Sequence, residues 1–78
     1  MRLIGETKKI ILSEIAEKPM HGYLLSQRLS FPLSTIYGHL KDLRELELIT
    51  IIQHSPHIIY KITEKGTLLL QVIQEGES

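Results

Sequence analysis

The chain contains no cysteine. That absence excludes a disulfide framework and any thiolate metal site. It also has no surplus charge of either sign, because nine Lys and Arg stand against nine Asp and Glu. Without excess cation nothing draws phosphate to the whole surface, so any nucleic-acid contact must depend on where individual charges sit. Long apolar runs are missing too: Leu48–Ile52 and Leu68–Leu70 fall far short of the roughly 20 residues of a transmembrane helix. The opening residues MRLIGETKK have no apolar h-region and no small-residue cleavage site, so no secretion is expected. Repeats, low-complexity tracts and linkers are likewise absent. These absences together predict a cytoplasmic domain with no membrane, metal or cofactor.

What is present makes a single domain over residues 1–78, with a core small enough that pairing with a second copy would add useful buried surface. Arg2, Lys8, Lys9, Lys18 and Arg28 concentrate positive charge early, whereas Glu75 and Glu77 mark the end. Four histidines, His21, His39, His54 and His57, add charge only as the pH falls.

Residues 5–17 place Ile10, Ile11, Leu12, Ile15 and Ala16 at helical spacing and leave Lys8, Lys9, Glu14 and Glu17 for water. Lys18-Pro19 ends that helix. A second, short helix from His21 or Gly22 to Leu29 buries Leu25 and Leu29, with Tyr23 alongside and Leu24 surplus to the stripe. After Ser30-Phe31-Pro32-Leu33, a third helix opens at Ser34, its expected N-cap. Ile36, Leu40 and Leu43 face inward there, so Thr35, Gly38, His39 and Asp42 are expected to point outward. Leu48–Ile52 is too rich in β-branched residues for a comfortable helix and reads as a strand, paired through the turn His54-Ser55-Pro56-His57 with Ile58–Ile62. Thr63 then caps a last helix reaching about Glu75. The order predicts an α+β fold: a winged helix-turn-helix with a three-helix core, a β-hairpin wing and a C-terminal helix. Ser, His and Asp occur without the spacing or strand-turn-helix context of a nucleophilic triad, so no enzyme is expected.

The run from Ile11 to Leu25, with His21-Gly22-Tyr23, then Thr35-x-Tyr37, Leu40-Lys-Asp-Leu43, Leu48-Ile49 and Tyr60-x-x-Thr63-Glu64-x-Gly66, resembles the PadR-like transcriptional regulators over roughly residues 10–70. The resemblance implies that helices two and three form a helix-turn-helix, that the chain reads operator DNA as a dimer, and that it represses transcription. It matches Tyr37 to a recognition-helix tyrosine, Thr35 to that helix's start, His21 and Gly22 to the entry of helix two, and Tyr60 to the end of the wing. Glu47 stands where that family places glycine, so a left-handed cap there would carry backbone strain.

On this reading Thr35 and His39 are candidates for base-edge contacts, and Gly38 allows close approach of backbone to DNA. Tyr37 and Lys41, one turn apart, share a flank and can reach one phosphate. Ser34 either caps its own helix or donates to phosphate. His54, Ser55 and His57 form the wing tip, or simply a polar turn about Pro56. Double-stranded DNA is the expected partner. A homodimer is expected through the last helix, with Leu69, Val72 and Ile73 as interface candidates, although the same residues would also complete a small core. The competing reading is a winged-helix protein-interaction module, or an adaptor within a transcription complex.

Overall fold

A computed structural model describes residues 4–77; Arg2, counted above among the early cations, lies outside them. The order is α1 (Glu6–Glu17), β1 (Met20–His21), α2 (Gly22–Leu29), α3 (Leu33–Glu45), β2 (Ile49–Gln53), β3 (Ile59–Ile62) and α4 (Glu64–Glu77). This is the expected winged helix-turn-helix, with one strand more than the hairpin requires. The three strands are antiparallel in the order β1-β3-β2, so β3 is central. Met20 and Ile51 both pair with Tyr60, one from each side. Two residues are too few to show an alternating pattern, which is why β1 is invisible to periodicity.

Ile11, Leu12 and Ile15 from α1, Leu25 from α2, and Ile36, Leu40 and Leu43 from α3 are fully enclosed. These are the positions that recur every three or four residues, so burial follows the helical stripe. Met20, Leu48, Ile49, Tyr60 and Leu70 close the same core from the sheet and α4. Leu24, surplus to the predicted stripe, still packs against it, whereas Tyr23 is exposed.

Two helix ends differ from expectation. α3 begins one residue early at Leu33, with Pro32 in the N-cap position and no side-chain cap, so Ser34 is not the cap. Proline's fixed φ prepares the helical entry without a capping hydroxyl. At the other end, Glu47 N–H donates to Arg44 C=O and Leu48 N–H donates to Leu43 C=O. This is the Schellman pattern, with the buried pair Leu43 and Leu48 as its apolar contact. It requires Glu47 to take φ 63°, a left-handed conformation normally left to glycine.

Thr63 does cap α4. Its Oγ1 accepts from Gly66 N–H at 3.1 Å and donates to Glu47 C=O at 2.7 Å. The end of α3 and the start of α4 are therefore tied through one side chain.

Candidate nucleic-acid interface

α3 presents a continuous outer strip. Ser34, Tyr37, Gly38, Lys41 and Arg44 are all exposed, and their spacing of three or four residues puts them on one side of the helix. No acidic residue lies in the first turn of α3, so the positive end of its dipole is not neutralised locally. Arg44 was legible in the sequence only as a helix-end residue; its place three residues after Lys41 and seven after Tyr37 was the available signal.

Thr35 and His39 are not fully outward as expected. Both are half-buried, and the Nδ1 of His39 is enclosed without a hydrogen-bond partner. On the same flank of α3, Lys8 Nζ of α1 lies 3.3 Å from Asp42. Thr35, His39 and Asp42 recur at helical spacing and so share that flank, at the margin of the exposed strip. The ion pair also offsets the carboxylate that would otherwise repel phosphate. Arg28 Nε of α2 lies 2.6 Å from Glu14 of α1, whose hydrogen bond and charge raise the guanidinium pKa above its already high value. Arg28 is engaged in this pair rather than presented to a flanking phosphate.

Tyr37 is held from below. Its ring occupies the space beside Gly22, the first residue of α2, where any side chain would collide with it. Close by is Tyr60 of the central strand, whose phenol pKa is raised, first by burial and then by the charge of Tyr37, with Arg44 acting in the opposite direction. Tyr37, Tyr60 and Arg44 thus lie near one another where α3 meets the central strand.

The wing loop runs between Gln53 and Ile59 and contains a cis Ser55–Pro56 peptide. His54, Ser55 and His57 are exposed, but they are not equivalent. The ring of His57 meets that of His21 edge-on, with centroids 4.8 Å apart. His57 therefore folds back toward β1 instead of projecting as a free tip. His21 also caps α2, its Nδ1 accepting from Leu24 N–H at 3.2 Å, which places the proton of the neutral ring on Nε2.

The proposed dimer residues also separate. Ile73 is buried within the protomer, at 8% exposure, and Leu69 packs partly against the core. Those two side chains complete the small core. Val72 is exposed, and so is Leu68 one turn earlier, each at 55%. Among the described residues no three His, Asp or Glu side chains gather to hold a metal, and no helix is long and apolar enough to cross a membrane.

No family model matches the chain, and no curated protein matches it. Solved structures do. The transcriptional regulator BldR from Sulfolobus solfataricus superposes with a TM-score of 0.79 at 27% identity, over 87% of this chain and 51% of its own. An ArsR-like transcriptional regulator from Rhodococcus sp. RHA1 gives 0.74 at 22% identity, over 91% of this chain and 67% of its own. The reduced form of the transcriptional regulator YodB from B. subtilis gives 0.79 at 23% identity, over 94% and 76%. This chain spans about half the length of the BldR chain. The PadR-like resemblance is not upheld. No family model supports it, and the structural likeness runs to an ArsR-like regulator together with BldR and YodB. The short motifs that suggested PadR serve packing and capping in this chain: His21 caps the entry to α2, Tyr37 packs beside Gly22, and Thr63 caps α4.

Proposed function

We propose that the chain is a DNA-binding transcriptional regulator that inserts α3 into the major groove of double-stranded DNA and acts as a homodimeric repressor. The observation that carries this reading is the exposed strip Ser34, Tyr37, Gly38, Lys41 and Arg44 on the third helix of a winged-helix frame. Three solved structures of similar shape are of transcriptional regulators, which supports the reading.

In this mechanism the roles follow from position. Tyr37, braced by Gly22, and Lys41 reach the phosphate backbone, with Arg44 extending the same line. Ser34, no longer needed as a cap, donates to phosphate or a base edge at the open end of the helix. Gly38 lets the backbone approach the groove. Thr35 and His39 reach base edges from the margin of the strip. His54 and Ser55 lie over the backbone beside it, while His57 holds the loop against His21.

The dimer forms on α4 through Val72 and Leu68, with Leu69 at the boundary of the core. It sets two copies of α3 about one helical turn of DNA apart, roughly 34–36 Å. Two half-site contacts then combine into useful affinity, and occupancy of the operator represses transcription.

The test is selection from a random duplex library at about 50 and 200 mM salt, with sequencing of the bound fraction. A two-fold symmetric enriched site supports a dimeric regulator. Enrichment of single half-sites removes the dimer, and no retained DNA at either salt replaces this reading with a protein-interaction module.

A further inference from the structure

The wing is unlike the rest of the surface. From Leu48 to Tyr60 there is no Asp, Glu, Lys or Arg. The loop end of the hairpin therefore brings no permanent cation to phosphate; the hairpin's lysine, Lys61, lies at the far end of β3, opposite Thr50. The hairpin presents apolar surface instead: Ile52 in β2 is 54% exposed and Ile58, in the loop that contains Pro56, is 40% exposed. Ile52 stands at an irregularity, since Ile51 pairs with Tyr60 while Gln53 pairs with Ile59, so Ile52 has no partner across the ladder. Such a bulge re-aims the side chain of its extra residue.

The loop is also anchored to the helix-turn-helix. His57 packs on His21, which caps α2, and β3 pairs through Ile59 and Tyr60 with His21 and Met20, next to Gly22, against which Tyr37 of α3 is fitted. The wing's position is thereby tied to that of the recognition helix. With α3 in a major groove, the loop lies over the neighbouring strand and its minor groove.

We propose that Ile52 and Ile58 are an apolar wedge that enters the minor groove beside the α3 site and partly unstacks a base step there. The proposal rests on the DNA-binding reading above. An uncharged, apolar tip suits this occupant because a minor-groove wedge acts by unstacking and kinking, not by neutralising phosphate. It favours A·T-rich sequence containing a pyrimidine–purine step, the class that kinks most easily. Specificity then arises at a position where no hydrogen bond to a base is made.

The experiment uses the whole chain at one fixed pH and a duplex carrying a site enriched in the selection. 2-Aminopurine is placed at successive steps flanking the α3 contact. Unmodified protein is expected to raise fluorescence at one flanking step. The double variant Ile52→Ser, Ile58→Ser is expected to lose that signal and to bind about tenfold or more weakly, with an unchanged dependence on salt. Lys41→Ala is expected to do the reverse, keeping the fluorescence signal and lowering the salt slope. No fluorescence change with unmodified protein overturns the wedge while leaving DNA binding intact, and so does a double variant that binds and reports as the unmodified chain does. Absence of any DNA binding removes both readings.

Discussion

A β-carbon placed on Gly22 would stand 2.7 Å from Cε1 of Tyr37. The first residue of α2 and the middle of α3 are therefore fitted to one another, and the tyrosine keeps its position only while residue 22 has no side chain. Tyr37 is 44% exposed, so its ring has room to swing outward. Gly22→Ala is expected to change stability by less than about 1 kcal/mol, since a helix-favouring residue partly offsets the displaced ring. DNA affinity is expected to fall even so. Thermal melting beside DNA titration of Gly22→Ala, Tyr37→Ala and the double variant checks this: the affinity losses should not add.

Gly66 makes the opposite case. A β-carbon there would collide with the backbone oxygen of Leu48. That oxygen already accepts from Thr63 N–H at 3.0 Å, so it is held in place. Gly66→Ala is expected to cost about 2 kcal/mol or more, because backbone must move where at Gly22 a side chain could. Urea unfolding measures it, and a loss below about 0.5 kcal/mol would contradict the packing of α4 on the end of α3.

Glu47 holds φ 63° in the Schellman turn that ends α3. A left-handed non-glycine residue costs roughly 1–2 kcal/mol, and glycine removes that strain while adding freedom to the unfolded chain. Glu47→Gly is expected to stabilise by about 0.5–1 kcal/mol, and the β-branched Glu47→Val to destabilise. A glycine variant that melts lower than the parent would refute the strain argument.

Tyr60 links the fold to alkaline pH. Burial raises its phenol above the ordinary value of 10.0, so the folded protein holds the proton more tightly than the unfolded chain. The resulting stability is fully present below pH 10 and is lost as the pH rises through the folded value. Tyr60→Phe is expected to flatten the decline in melting temperature above about pH 10. Equal slopes in both proteins would assign the decline to other groups.

The helical stripes were legible because burial follows spacing: Ile11, Leu12 and Ile15, then Ile36, Leu40 and Leu43, recur at intervals that only a helix turns to one side. The hairpin was legible from β-branched runs on either side of Pro56, and the cap at Thr63 from a hydroxyl three residues before Gly66. These are local properties, so sequence alone determined the order of the four helices and the hairpin, and with it the class of fold.

Tertiary structure decided what lies between elements. The strand Met20–His21 exists because Tyr60 pairs with it, and no pattern within two residues could announce that. Thr35 and His39 carry polar side chains at positions that spacing alone leaves open, and only the packing of the folded domain makes them half-buried. Ile73 and Val72 are adjacent and both aliphatic, yet one is in the core and the other in water, because the angle at which α4 crosses the domain selects between them. The same holds for Gly22, whose use is defined by a ring fifteen residues later in the chain. Local propensity is written along the sequence, but exposure and fit depend on neighbours that folding alone brings together.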